Sequence, residues 1–319
     1  MQKAPKIDDF LDNIKGIYKD KSTPVIQGLK SAKPTTFRIN PTSSQSGPHL
    51  SIAELEKQGF VISKGEFPNT FYIKENKNKI YISDTEPFKS GQIYVQEFSS
   101  MIPPFILDPK PGEKILDMSA APGSKTTQIA ALANNEAEIT AIEKHPLRIL
   151  TLKHNLEMQN SKTVNVIHAD GIRFDKKFPQ YVEYFDKVLV DAPCSSEGRF
   201  NLNDKKSYKY WNIYKRKEMS KIQKGLLISG FRMLKKGGTL LYSTCTFGVE
   251  ENEMVLQWFL EKLGSEAKIE KIDIPLRNTF PGLTSYMGER FDPTIRNSVR
   301  IIPNEFYTGF FMAKISKKK

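Results

Sequence analysis

KILDMSAAPGSKT, residues 114–126, sets a short aliphatic run against a carboxylate, Asp117, and then breaks into a turn of small residues. A strand that ends this way and runs into a helix lets backbone approach a ligand closely. The turn has no G-x-G-x-x-G, and its Gly123 and Lys125 are not adjacent as a phosphate-cradling loop requires, so both common nucleotide motifs fail. An adenosine-type cofactor fits instead. Twenty residues after Gly123, Glu143 closes the run EITAIE (138–143), where a carboxylate accepts both hydroxyls of a ribose; Asp170 closes VNVIHAD (164–170). A single acid at a strand end is more often a helix cap than a ligand contact, but three in series point to one crevice beyond the carboxyl ends of an open α/β sheet.

Outward from this stretch the rhythm continues. After DKVLVDAP (186–193) and GGTLLYSTC (237–245) come KIEKIDIP (268–275) and TGFFMAKI (308–315), which makes seven proposed strands separated by longer helical stretches. The first five lack polar alternation, as expected of parallel strands covered on both faces. The expected fold class is α/β, a Rossmann-like seven-stranded domain over residues 93–319. In EENEMVLQWFLEKLG (250–264), Val255, Phe259 and Leu263 share one helix face, and the acidic residues are read as first-turn partners of the helix dipole. Residues 1–92 mix helix-like IDDFLDNIKGIYKD (7–20) and SIAELEKQG (51–59) with extended TTFRIN (35–40) and TFYI (70–73), across a polar break at TSSQSG (42–47). They are expected to form a small α/β attachment.

Lys and Arg number 48 against 36 Asp and Glu, a formal charge of +12 that raises the potential met by any polyanion. NDKKSYKYWNIYKRKEMSK (203–221) interleaves that charge with Tyr208, Tyr210, Trp211 and Tyr214, a composition suited to phosphate contact and base stacking, or equally to a solvated amphipathic helix. Lys205, Lys206, Lys215 and Arg216 are the expected phosphate contacts. The hydrophobic share, 39% with 20 Phe, supports a core, and no apolar run approaches the roughly 20 residues of a membrane helix. The opening MQKAPKIDDF carries no secretory pattern, so the expected location is the cytoplasm, with no membrane partner. Two cysteines are too few for a disulfide scaffold and lack zinc spacing, and neither G-x-S-x-G nor H-E-x-x-H occurs. A monomer without a metal is expected.

Those cysteines carry the chemistry. Cys194 follows one strand in DAPCSSEG and Cys245 ends the next in STCTFG, both on the cofactor side. A lone cysteine is more often a small buried hydrophobe, but here both thiols of the chain occupy reactive positions. Through VQEFSSMIP, LDMSAAPGSKT, AIEKHPLR, HADG, DAPCSSEGRF, LYSTCTFGVEENE and TGFFMAKI, over residues 93–315, the chain resembles the Sun/Fmu (NSUN-type) family of RNA cytosine-5 methyltransferases. Ser119 and Ser124 stand where that family often has Cys or Gly, and Ser196 where it often has Gly; no reactive group is lost.

The resemblance implies S-adenosylmethionine held by the turn residues Ser119, Ala120, Ala121, Pro122, Gly123, Ser124 and Lys125 together with Glu143, Arg148, Asp170 and Asp191. It implies Cys245 as nucleophile and Cys194 as the group that aids product release, with Lys125 and Asp191 beside the target base. Carbon 5 of cytosine becomes nucleophilic only once a thiolate adds to carbon 6, and a base must then remove the carbon 5 proton. The residues by themselves leave the division of labour between the two thiols open. The implied substrate is tRNA or rRNA, with tRNA favoured. A non-catalytic RNA-binding relative is disfavoured by the intact cysteines and Asp191, and a nucleotide-dependent oxidoreductase by the missing glycine fingerprint.

Overall fold

The computed structural model describes residues 7–42 and 48–319. The expected polar break at 42–47 lies, apart from Thr42, outside the described residues, as do the first six. The chain opens with α1 (Ile7–Tyr18) and α2 (Ser22–Lys30). These belong to a compact unit with residues 171–319, while residues 34–170 form a second compact unit.

In the 34–170 unit, β1 (Thr36–Ile39), α3 (Pro48–Lys57), β2 (Phe60–Lys64), β3 (Thr70–Asn76), α4 (Glu86–Lys89) and β4 (Ile93–Val95) come first. The strands form an antiparallel sheet ordered β2-β3-β1-β4. Phe37, Ile39, Leu55, Phe60 and Ile93 fill its core. The third side chain of TFRI is charged yet buried: Arg38 donates from Nε to Gln96 Oε1 at 3.1 Å and from Nη2 to Thr127 Oγ1 at 2.7 Å. Burial draws its guanidinium down to about 10.

The same unit continues through α5 (Phe98–Leu107), β5 (Lys114–Asp117), α6 (Ser124–Leu132), β6 (Glu138–Glu143), α7 (Pro146–Met158) and β7 (Val164–His168). β5, β6 and β7 are parallel, with β6 in the middle. Ile115, Leu116, Ile139, Ala141 and Ile142 are fully buried, the physical reason their runs show no alternation. Proline opens α7 at the first position, where its missing N–H costs nothing.

In the other unit, α8 (Phe174–Lys177), β8 (Phe185–Asp191), α9 (Tyr214–Met233), β9 (Leu234–Thr244), α10 (Glu253–Leu263) and β10 (Ala267–Glu270) precede five further strands. These are β11 (Thr279–Pro281), β12 (Ser285–Tyr286), β13 (Glu289–Arg290), β14 (Val299–Ile301) and β15 (Phe310–Lys317). β8 and β9 are parallel, and β15 runs antiparallel to β9. The far edge of β15 is shared, β14 pairing along residues 310–312 and β10 along 314–317. All seven expected strands exist. β11 to β14 were not expected, since strands of two or three residues carry no period to read.

α1 is held in this unit by aromatic contacts: Phe10 lies 5.3 Å from Phe200 and 5.6 Å from Trp211, and Tyr18 lies 6.0 Å from Phe247, centroid to centroid. Among the described residues no helix is long and apolar enough to cross a membrane, and no group of three or more His, Cys, Asp or Glu could hold a metal ion.

Candidate active site

The turn after β5 is braced mostly by its own residues. Asp117, 1% exposed, accepts Thr126 Oγ1 at 2.7 Å and the Ser119 N–H at 3.2 Å, which closes the chain over the strand end. Gly123 has φ +108°, a left-handed conformation that favours glycine, and a Cβ there would come within 3.0 Å of Leu152 Cδ1. α7 grips the outer side: Arg148 Nη2 donates to the Ala121 carbonyl and Asn155 Nδ2 to that of Pro122 at 2.8 Å. The expected turn residues, Ser119 through Lys125, thus form one fixed loop.

Glu143 ends β6 with its carboxylate buried, accepting the His145 N–H at 2.8 Å and lying 3.5 Å from Arg148 Nη1. Asp170 follows β7, only partly covered, 2.9 Å from Lys144 Nζ. Lys125 sits in the first turn of α6, 8% exposed, and donates to Ser100 Oγ at 2.9 Å, so it is not a solvated surface lysine.

The thiols stand in the unit formed by residues 7–33 and 171–319. Parallel pairing of β8 with β9 sets Asp191 opposite Ser243, whose hydroxyl donates to Asp191 Oδ1 at 2.7 Å. Just past these ends Cys194 Sγ and Cys245 Sγ lie 3.2 Å apart, both free and partly buried. That exceeds the ~2.05 Å of a disulfide and suits an S–H···S hydrogen bond. Cys245 Sγ also lies 3.6 Å from Ser196 Oγ. Backbone seals the arrangement: Gly198 N–H donates to the Cys245 carbonyl at 2.9 Å, and a Cβ on Gly198 would sit 2.0 Å from the Gly309 carbonyl oxygen.

The hydrogen bond splits the two thiols electrostatically. Its hydrogen bond to Cys245 holds Cys194 well above the ordinary thiol range, with burial and the nearby Glu251 charge adding to this. Cys245 is lowered by the same bond; Ser196 and Arg199 help, against burial and Asp191. An asymmetry between two chemically identical groups, invisible in the sequence, follows from their placement.

Two charged residues of this region, Glu197 and Arg300, escaped sequence reasoning. Glu197 is fully buried and receives Arg216 from Nε at 2.6 Å and Nη2 at 2.9 Å, with Trp211 Nε1 at 2.8 Å. Arg216 is itself fully buried, so the expectation that it contacts phosphate is corrected: its charge is consumed inside the unit. Lys205, Lys206 and Lys215 are exposed, as are Tyr210 and Tyr214. Arg300 donates from Nε to Glu253 Oε1 at 2.7 Å and from Nη1 to the Phe247 carbonyl at 3.0 Å, pinning the chain two residues past Cys245. Glu253 opens α10, in whose first turn an acid is expected, and Glu251 lies just before the cap; both are also buried, each in a polar network.

A model of the family described as 16S rRNA methyltransferase RsmB/F matches residues 104–316. The tRNA (cytosine(49)-C(5))-methyltransferase of Pyrococcus abyssi is 40% identical over 258 residues, 81% of this chain and 79% of that enzyme. Ribosomal RNA small subunit methyltransferase F of Escherichia coli is 36% identical over 247 residues, 76% of this chain and 49% of that protein, so the chain spans about half its length. A solved methyltransferase homolog protein from Pyrococcus horikoshii superimposes with a TM-score of 0.82 at 32% identity, over 97% of this chain and 94% of that one.

Proposed function

The chain belongs to the RsmB/F methyltransferase family and is an RNA cytosine-5 methyltransferase of Rossmann-like fold; from that premise we propose that it takes the methyl group from S-adenosylmethionine, that Cys245 attacks the base, and that tRNA is its substrate. The observation that carries the mechanism is the thiol pair, 3.2 Å apart just past the ends of β8 and β9. The preference for tRNA rests on the more similar and more completely matched archaeal tRNA enzyme. rRNA remains the second reading. We further propose a cytoplasmic monomer in which residues 1–92 help select the RNA.

The donor set of the 34–170 unit fits the cofactor. A buried carboxylate at the end of β6, Glu143, is an acceptor for a pair of hydroxyls, and Asp170 offers a second acceptor. Residues 119–123 carry small side chains and a left-handed glycine, the make-up of a turn that a ligand can approach closely. Arg148 holds both the Ala121 carbonyl and Glu143, so its role is to orient. When bound, S-adenosylmethionine supplies an electrophilic methyl group on a sulfonium centre.

The chain's own groups do the rest. Cys245 as thiolate forms the S–C bond to carbon 6, and the displaced electron pair enriches carbon 5. Asp191, oriented by Ser243, is placed by this reading against the exocyclic amine and a protonated ring nitrogen, where it offsets the charge that develops on addition. Once Cys245 is a neutral thioether, the interaction that kept Cys194 protonated is gone. Cys194 is then freer to handle the carbon 5 proton as the adduct is released. Lys125 is proposed beside the base. The test is to incubate the purified chain with radiolabelled S-adenosylmethionine and unfractionated tRNA or rRNA, then map the product by bisulfite sequencing. 5-Methylcytidine in tRNA supports the reading, and its absence from both pools overturns it.

A further inference from the structure

Glu251 is a fully buried carboxylate that none of the chemistry above uses, and its partners are unusual in where they lie. Its Oε2 accepts the backbone N–H of Ser195 at 2.9 Å and Gln223 Nε2 at 3.0 Å; its Oε1 accepts the Ser195 hydroxyl and Thr246 Oγ1, the latter at 3.2 Å. Ser195 is the residue after Cys194, and Thr246 is the residue after Cys245. One side chain therefore reaches both loops at the positions that adjoin the sulfurs, backing the direct contact of 2.7 Å between the Ser195 and Thr246 hydroxyls. Space around it is tight, since a Cβ on Gly248 would stand 3.2 Å from Glu251 Oε1 and 2.9 Å from Arg216 Cδ.

We propose that Glu251 is a positioning residue for the two thiols: its carboxylate ties Ser195 to Thr246 and so keeps Cys194 Sγ within hydrogen-bond reach of Cys245 Sγ. This rests on the reading of Cys245 as nucleophile and Cys194 as its proton-bearing partner. The physical case is that an S–H···S bond is weak and directional and cannot by itself hold two loops in register. Four hydrogen bonds converging on one buried carboxylate can, because in a low-dielectric interior each unmade bond would leave a desolvated polar group. The carboxylate has a second effect at the same place: its charge lies close enough to Cys194 to raise that thiol further. Burial, with the Glu197 charge, in turn lifts Glu251 to about 7 against the lowering effect of Ser195 and Gln223. The titratable and charged groups that face it are Glu197, Arg216 of α9, Tyr242 of β9 and Cys194. Tyr242 donates to the Glu251 backbone carbonyl at 2.6 Å, which anchors the residue to β9.

The test needs no RNA. The full chain is alkylated with iodoacetamide across pH 5–10 (roughly the span over which thiols titrate), and the rate at each cysteine is read by peptide mass spectrometry. In the parent chain Cys245 should react first, with a midpoint below that of a free cysteine. In Glu251→Ala that midpoint should climb toward the free value, and Cys245 alkylation at neutral pH should slow about tenfold. Glu251→Gln keeps the bridge without the charge, so Cys245 should stay ahead while the Cys194 midpoint falls. Should Glu251→Ala fail to fold, the pair Ser195→Ala and Thr246→Val removes the two hydroxyl donors and keeps the acid; it should move Cys245 in the same direction. Unchanged midpoints in a folded Glu251→Ala chain, or in the double variant, would overturn the proposal. A parent chain in which Cys194 reacts before Cys245 would overturn the assignment of the thiols, whatever Glu251 does.

Discussion

The turn of residues 118–125 and the loops that follow Asp191 and Thr244 all begin at strand ends, yet they are held in different ways. Asp117 braces its turn through neutral donors two and nine positions along the chain, and α7 grips it from outside through Asn155 and the half-exposed Arg148. The thiol loops are joined by Glu251 to Ser195 across 56 positions and by Arg216 to Glu197 across 19, with every charged member buried. Bracing by neutral and half-exposed groups tolerates change, whereas buried charge pairs are costly to half-remove. The thiol region should thus be the more brittle of the two, chemically and structurally.

The largest contrast is between the cysteines themselves. Cys245→Ala should abolish both the covalent adduct and the methylated product, because carbon 5 is never activated. Cys194→Ala should still add and transfer, then stall, leaving protein and RNA migrating together on a denaturing gel with the link at Cys245. Reversed behaviour would exchange the roles. Loss of neither adduct nor product in either variant would remove the covalent mechanism.

Next comes the brittleness of the buried pairs. Arg216→Met leaves Glu197 charged, buried and short of two hydrogen bonds, and should cost about 3–5 kcal/mol of stability in a denaturant titration. Replacing exposed Lys205, Lys206 and Lys215 together should leave stability within roughly 0.5 kcal/mol but weaken RNA binding and flatten its salt dependence. If the lysine variant were the one to unfold, the division between structural and RNA-facing charge along 203–221 would be wrong.

This same segment marks where sequence reading runs out. Asp117, Glu143, Asp170, Cys194 and Cys245 were legible because a strand's end is announced by local pattern, and the end decides where the side chain goes. Arg216 was not, because a basic residue among lysines looks solvated unless the position of Glu197, on a different loop, is known. The burial of Glu251 and Glu253 was illegible for a related reason: acids at a helix start satisfy the dipole rule equally well whether exposed or buried. The burial of Lys125 against Ser100 was not legible either, because a lysine just inside a helix start carries no local sign of it.

A smaller effect is expected at the cofactor turn. Glu143→Ala removes a carboxylate whose local partners, His145 N–H and Arg148, remain near solvent, so folding should survive. S-adenosylmethionine binding by calorimetry should weaken about tenfold or more, the range of one or two hydrogen bonds to a charged group. Affinity equal to the parent's would mean that the hydroxyl contact belongs elsewhere.

The smallest effect concerns pH and isolates a carboxyl group whose ionisation the fold opposes. Glu251 titrates at about 7 in the folded chain, above its ordinary 4.5, so between these values the native state holds a proton that the unfolded chain has released. Stability then falls as pH rises, because the slope of unfolding free energy follows the excess of protons bound in the unfolded state, which here is negative. The contribution is fully present below about 4.5 and is lost as pH climbs through 7. Glu251→Gln cannot titrate, so the parent minus variant difference in denaturant stability should decline across that window and be flat above it. No counterpart is expected from Glu143→Ala, and a difference curve that rose with pH would mean that Glu251 is held as a carboxylate throughout, with its four donors outweighing burial.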